Sequence, residues 1–458
     1  DSGFDGLDDG NQSNAVTLRS DYQLSAIDAL MLRAGFSFGQ AGEGYKNTVF
    51  GNNAERTTTH HDETLHFQWR RTPVPGSELL FNYYHNQEDI NDSWLASAPS
   101  FPAVPLNRNR TASRDHIDMQ YRFQAAPAWQ VVWGAEAQKD HVDATFLFAS
   151  GDPPDQTLYR LFANAEWRVS PNVSVNLGGS AEQFRDAPVR YNPRVFVNWQ
   201  ATPSQTLRAG YAEADRAINL FELYGDIRAV DPATGTVLVR PYVANPDLKQ
   251  THIKSSELGY LGRFETGKSM LDVRLFEERL EDFVVREPVV PSGPMPFLAA
   301  TLPSTRYANL DGVVTLRGIE YQAITHPWPG GELMFMHTLI DRKTSDRSVE
   351  TRTSPYTASL TWRQDWPRNF RSMISVLRMG PLAGGDGFVP RSQFVADPYT
   401  TVDANVDWHT QVGGTPVKVA LTGINLGNRH QEIPDRSAQF LSPDKPLNLT
   451  SPTVYLTL

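Results

Sequence analysis

Three parts of the chain place aromatic side chains close to arginines, a combination that can bind an anionic or aromatic ligand. An aromatic ring offers a flat contact surface, and a guanidinium offers a permanent positive charge with planar hydrogen-bond donors. The residues concerned are Trp94 with Arg108 and Arg110, Arg240 with Tyr242, and Phe388 with Arg391. We predict that they contact a ligand; the alternative interpretation is that each is an ordinary exposed loop residue.

Histidines and acidic turns offer metal ligands, but their spacing does not favour a dedicated site. His60 and His61 fall at a predicted loop end beside Asp62, and His66 falls on the polar face of a predicted strand. A solvated loop explains this group better than a metal centre does. Three acidic turns lack the spacing of a calcium-binding loop, at residues 8–9, 152–155 and 386–387.

Composition and charge exclude several functions. Cysteine is absent, which removes disulfides, thiolate metal sites and cysteine nucleophiles. The net charge of −10, without a basic cluster, disfavours a nucleic-acid partner. No Ser, His and Asp combination has usable spacing for a catalytic triad. We therefore predict no metal, no cofactor, no enzymatic activity and no nucleic-acid partner.

The elements that must position the candidate residues have a hydrophobic period of two, which indicates β-strands. The clearest example lies near the carboxyl end of the sequence. One face of that strand carries Val402, Ala404, Val406 and Trp408, and the other carries Asp403, Asn405, Asp407 and His409. Four consecutive polar residues on one face cannot point into lipid. We predict that these four side chains face a lumen.

The same pattern predicts nineteen strands and, between residues 191 and 278, no helical segment. The predicted strands are 14–23, 28–39, 62–72, 77–86, 115–124, 128–139, 157–169, 172–183, 191–200, 205–213, 251–264, 268–284, 305–325, 332–341, 355–364, 369–379, 400–410, 416–425 and 452–458.

Short turns alternate with long, irregular connections along this series, and the tryptophans follow the short turns. Trp94 alone of the ten lies in a long connection. The nine near short turns are Trp69, Trp129, Trp133, Trp167, Trp199, Trp328, Trp362, Trp366 and Trp408. Short periplasmic turns, long outer loops and an aromatic girdle are typical of outer-membrane barrels. The sequence therefore predicts an all-β fold, a large antiparallel transmembrane β-barrel with about 19 strands in residues 1–458.

A series of short motifs follows along the chain from Tyr191 onward. They are Tyr191-Asn192-Pro193-Arg194, Leu207-Arg208-Ala209-Gly210-Tyr211, Leu220-Phe221-Glu222-Leu223-Tyr224-Gly225, Asn245-Pro246-Asp247-Leu248-Lys249, Glu257-Leu258-Gly259-Tyr260, Tyr307-Ala308-Asn309, Arg317-Gly318-Ile319-Glu320, Pro355-Tyr356-Thr357-Ala358, Thr401-Val402-Asp403, Asn425-Leu426-Gly427-Asn428 and Thr453-Val454-Tyr455-Leu456. Their order and spacing resemble the carboxyl-terminal barrel of TonB-dependent outer-membrane receptors. We interpret these residues as part of the barrel scaffold, without a chemical role.

The resemblance implies a receptor in the outer membrane of a Gram-negative bacterium. Such a receptor binds a siderophore, cofactor or oligomeric nutrient with its outer loops and imports it. It would contact membrane lipid and draw energy from the inner-membrane protein TonB. The family's plug domain has no counterpart in this sequence. Strand parity also places the start of the first strand outside the cell, so we expect a plug or periplasmic module and one or three strands before Asp1.

Two alternatives remain open at this stage. One is a passive or export pore for a polymer such as a polysaccharide, with a periplasmic scaffold before the barrel. The other is an adhesion or structural barrel without transport.

Overall fold

The structure, a computed structural model, describes residues 10–44, 54–98, 101–151, 153, 155–265, 268–291, 303–346, 349, 353–383, 395–427, 429–432 and 449–457. Within these residues nineteen strands form one sheet. The strands are β1 (Asn11–Gln23), β2 (Asp28–Glu43), β3 (Arg56–Arg71), β4 (Glu78–Asn91), β5 (Arg110–Ala126), β6 (Trp129–Asp143), β7 (Gln156–Ser170), β8 (Val173–Phe184), β9 (Arg190–Thr202), β10 (Gln205–Arg216), β11 (Thr251–Phe264), β12 (Ser269–Glu281), β13 (Val314–Thr325), β14 (Gly331–Lys343), β15 (Tyr356–Trp366), β16 (Phe370–Met379), β17 (Tyr399–Val412), β18 (Thr415–Ile424) and β19 (Thr453–Thr457).

Each of the nineteen predicted strands has one counterpart in this sheet, so the predicted all-β architecture is confirmed. Successive strands pair antiparallel from β1 with β2 to β18 with β19. Among the described residues, the edge strands β1 and β19 each have a register with a single neighbour, and both are exposed along their whole length.

The two faces of the sheet differ in chemistry. One face exposes apolar side chains, for example Leu161 (58% exposed) and Leu258 (60% exposed). The opposite face is polar, and its side chains are partly buried because they bond across strands. Arg160, for instance, reaches Glu136 at 2.6 Å on one neighbouring strand and Glu182 at 2.8 Å on the other. We call these the apolar face and the polar face.

One end of the sheet is formed by short turns. Gly76 adopts a φ of 83° in the turn between β3 and β4, a conformation that glycine reaches without strain. Tryptophan rings gather at the same end. Trp129 and Trp167 stack with ring centroids 5.2 Å apart, and Phe370 stacks on Trp408 at 5.8 Å. The aromatic cluster predicted beside the short turns is therefore present.

The prediction of no helix between residues 191 and 278 was wrong. A short α-helix, α1 (Leu220–Tyr224), lies in the connection between β10 and β11. Its first residue follows Asn219, whose side chain accepts a hydrogen bond from the Glu222 amide while the Glu222 carboxylate accepts one from the Asn219 amide. This reciprocal capping satisfies two free helix-end amides.

Among the described residues, no helix has both the length and the apolar character needed to span a membrane.

Two predicted strands were drawn too long, and several others too short. The predicted strand 305–325 is two strands, Ser304–Asn309 and β13, because the chain turns at Gly312 with a φ of 118°. The predicted strand 268–284 likewise ends at Glu281, and a separate strand, Val284–Val289, follows. In contrast, β3 begins at Arg56. His60 and His61 therefore lie within a strand and not at a loop end.

The long connections were predicted to be irregular, but they carry strands of their own. Ser93–Ala98 pairs with Phe101–Asn107 as a hairpin. Ile227–Val230, Val237–Tyr242, Ser304–Asn309 and Val284–Val289 form a four-stranded sheet. We call this the loop sheet. Two further pairs are short, Leu382–Ala383 with Val395–Ala396 and His430–Gln431 with Leu449–Thr450. Ordered backbone pairing thus extends beyond the barrel wall.

Candidate functional site

The connection between β10 and β11 covers the polar face at the end of the sheet where the long connections lie. Ile218 and Leu223 are buried against Phe184, the last residue of β8. Leu220 packs against Phe148 in the connection that follows β6. Burial of each such side chain contributes about 1.5–3 kcal/mol. These contacts hold helix α1 above the polar side chains of the wall.

An ion-pair network fastens the loop sheet to the neighbouring connection. The carboxylate of Asp226, 0% exposed, accepts hydrogen bonds from Arg240 at 2.9 and 3.0 Å and from Arg228 at 3.2 Å. Ser150 donates to the same carboxylate. Burial opposes the charged form of Asp226, but the bonds from Arg240, Arg228 and Ser150 outweigh it and lower the pKa of this carboxyl. Asp226 therefore remains ionised in the folded protein at neutral pH.

Between the wall and the region around α1 lies a cavity of about 960 Å³. Strands β3 to β6 supply its polar side, and residues 217–221 with Leu147 and Phe148 supply its apolar side. Two ion pairs line the wall. Arg114 donates to Asp140 through two nitrogens, at 2.6 and 3.0 Å, and Arg110 lies 3.5 Å from Glu88. A large concave site with an apolar wall and a few polar groups is typical of a small-molecule site.

Gln156, at the start of β7, adds an unsatisfied group to this cavity. The residue is 6% exposed, and its side-chain carbonyl has no hydrogen-bond partner within the described part of the chain. An unpaired buried carbonyl costs about 1–3 kcal/mol. An N–H or O–H group that gained access to this buried oxygen would satisfy it.

The structure brings two of the predicted ligand residues together but surrounds them with other parts of the protein. The guanidinium of Arg108 lies 4.8 Å from the ring centroid of Trp94, and that of Arg56 lies 3.9 Å from it. Burial lowers the pKa of Arg108. Arg110 lies apart from this stack and lines the cavity. Ligand contact by Trp94, Arg108 and Arg110 stays a prediction, and Arg110 has the position that suits it best.

The second predicted pair is also engaged within the fold. Arg240 is buried in the network of Asp226. The Tyr242 hydroxyl accepts a hydrogen bond from Arg286 at 2.6 Å, and its ring stacks on Tyr307 with centroids 6.2 Å apart. Both residues therefore hold the loop sheet together, and their contact with a ligand stays a prediction. The third predicted pair, Phe388 and Arg391, lies outside the described residues.

The four polar residues predicted to face a lumen lie on the polar face of β17, opposite the exposed Val406 and Trp408. Three contacts involve them. Asp403 accepts a bond from the Asn425 amide at 2.7 Å, Asn405 donates to Thr422 at 2.7 Å, and His409 pairs with Asp407 at 2.7 Å. Their assignment to a lumen remains a prediction.

Several site residues were missed by sequence reasoning, namely Glu88, Arg114, Asp140, Gln156 and Asp226. A usable signal existed for Arg114 and Asp140, because they are directly opposite each other in the register of β5 and β6. Gln156 and Asp226 carry no such signal, since their environment depends on how the connection folds.

In the described part of the chain, no group of three or more His, Asp or Glu side chains is arranged to hold a metal ion. His61 of the candidate metal group instead pairs with Glu63 at 2.9 Å.

Comparison with known proteins identifies the fold. Residues 1–426 match the family model described as TonB dependent receptor-like, beta-barrel. The iron-regulated outer membrane virulence protein of Vibrio cholerae is 21% identical over 410 residues, covering 86% of this chain. The chain spans 59% of the length of that relative.

Solved structures share the architecture at low sequence identity. The ferric enterobactin receptor of Pseudomonas aeruginosa, as a mutant, superposes with a TM-score of 0.75 at 13% identity, covering 94% of this chain and 68% of that one. The siderophore receptor PirA of Acinetobacter baumannii gives a TM-score of 0.70 at 13% identity, covering 92% and 67%. A family match over most of the sequence, with this shared fold, settles the classification. The chain belongs to the TonB-dependent receptor-like β-barrel family and lies in the outer membrane of a Gram-negative bacterium.

Proposed function

We propose that this chain is the barrel of a transporter that binds a ferric siderophore and imports it with energy from TonB. The observation that carries this proposal is the cavity beneath α1, which combines an apolar wall, two arginine–carboxylate pairs and an unpaired buried carbonyl. A structure similar to this chain is a ferric enterobactin receptor in complex with enterobactin, and the Vibrio cholerae relative is iron-regulated.

The long connections face the outside of the cell in this proposal, and the short turns face the periplasm. Outer-membrane barrels keep their periplasmic turns short. The stacked tryptophans beside the turns suit the inner headgroup region, because an indole is both apolar and able to donate a hydrogen bond. A ligand arriving from outside would then meet the cavity first.

In this proposal the barrel wall is completed by further strands and an amino-terminal module. Support comes from β1 and β19, which are exposed on both faces. The backbone groups on an unpaired strand edge in lipid have no hydrogen-bond partner, and each unsatisfied group costs several kcal/mol. Contact with TonB would be made by that amino-terminal module. We assign no catalytic activity and no nucleic-acid partner to the chain.

Uptake of radioactive iron by whole cells tests this function. Cells that produce the protein should accumulate iron supplied as a ferric siderophore, and removal of TonB should abolish accumulation while surface binding persists. Uptake that continues at the same rate without TonB would instead favour the passive pore.

A further inference from the structure

We infer that the cavity beneath α1 selects an uncharged or cationic ferric chelate over a polyanionic one. This inference rests on the proposed function. Both arginines that line the cavity are already neutralised by carboxylates, Arg114 by Asp140 at 2.6 Å and Arg110 by Glu88 at 3.5 Å. Neither guanidinium offers an uncompensated charge to an anion.

A third carboxylate leaves the wall with an excess of negative charge. Asp62 lines the cavity and accepts a hydrogen bond from Ser37 at 2.5 Å. It has no ion-pair partner among the described residues, so three carboxylates face two guanidiniums. The other two titratable lining residues, Glu63 and His141, add no unpaired positive charge. Glu63 pairs with His61 at 2.9 Å, and His141 pairs with Asp155 at 2.7 Å.

The net charge of an iron chelate determines how well it suits this negatively charged wall. A ferric tris-hydroxamate is uncharged overall, whereas a ferric tris-catecholate is trianionic. Bringing like charges together at a binding site is strongly unfavourable and suppresses the wrong partner. The buried carbonyl of Gln156 adds a second preference, since a ligand N–H or O–H group that reaches it would satisfy it. Hydroxamate chelates that carry amide or ammonium groups meet both conditions.

The inference is tested by equilibrium binding of ferric chelates to the full-length protein, purified from the membrane in detergent. The probes are a ferric tris-hydroxamate with amide and ammonium groups and a ferric tris-catecholate. We expect the tris-hydroxamate to bind at least about tenfold more tightly. Glu88→Gln should narrow this preference by freeing Arg110. Gln156→Leu should weaken tris-hydroxamate binding roughly fivefold, the equivalent of one hydrogen bond.

Matched changes at the short-turn end serve as controls. Glu332→Gln and Gln200→Leu alter the same groups far from the cavity and should change neither affinity. Binding of the tris-catecholate as tightly as the tris-hydroxamate would overturn the inference and leave the proposed function standing. An unchanged preference in Glu88→Gln would also overturn it. Binding of neither chelate would contradict the proposed function itself.

Discussion

Replacing Asp226 with Asn should detach the loop sheet while leaving the barrel wall intact. The substitution keeps the size of the side chain but removes the negative charge that Arg240 and Arg228 share. Removing one partner of a buried ion pair costs about 3–5 kcal/mol. The Arg240 side chain is 8% exposed but that of Arg228 is 25% exposed and partly screened, so we expect about 3 kcal/mol.

Hydrogen exchange measures this effect where it occurs. A loss of about 3 kcal/mol of local stability speeds amide exchange on the order of a hundredfold. We expect this acceleration in residues 227–242 and little change in the wall strands. Glu287→Gln is the control, because Glu287 pairs with Arg306 at 2.8 Å in the same loop sheet, where both side chains are exposed. Equal acceleration in the two variants, or less than about threefold in Asp226→Asn, would refute the reasoning.

The remaining predictions concern pH, the aromatic girdle and orientation. The hydrogen bonds that Asp226 accepts lower its pKa, so the stability that its charge gives the loop sheet is complete above the unfolded-state pKa of about 3.9. That stability is lost as the pH falls through the lower folded-state pKa. Hydrogen-exchange protection of the loop sheet should thus persist at about pH 5 and fall below about pH 4. Trp167→Ala should lower the free energy of unfolding by about 0.5–1.5 kcal/mol in a folding titration, since it removes the stack on Trp129; an unchanged value would argue against an energetic role. On whole cells, a cysteine at Gly235 should react with an impermeant thiol reagent and one at Gly76 should not, and the reverse pattern would overturn the orientation.

The barrel could be predicted from the sequence because its strands obey a local rule. Along β9, for example, Val195, Val197 and Trp199 project onto the exposed apolar face, as their alternation with other residues requires. Each strand carries this signal independently of its neighbours. The strands of the sheet could therefore be predicted from the alternation of apolar and polar residues together with the turn residues.

Helix α1 was not predicted, although the sequence contains a capping signal for it. Asn219 and Glu222 have the spacing of a capping box, but the helix spans only five residues, too few for helical periodicity to emerge. Its stability comes from the burial of Leu220 and Leu223 against other connections. Such contacts join parts of the chain that are distant in sequence.

The candidate ligand residues show the same limit. The sequence predicted that Trp94 and Arg108 contact a ligand, but it could not reveal that the guanidiniums of Arg108 and Arg56 both lie over the Trp94 ring. Arg240 looked available because Asp226, its partner, lies fourteen residues earlier. Whether an arginine meets a ligand or a carboxylate depends on the fold of the connection, which residue type and spacing do not encode.

The position of bound iron tests the central claim most directly. Crystals of the protein saturated with a transported ferric chelate would locate the metal by its anomalous scattering. We predict one iron peak within the cavity, between the Arg114 and Asp140 pair on the wall and Phe221 on the overlying connection. Iron found at saturation only elsewhere, with the cavity beneath α1 empty, would contradict this account.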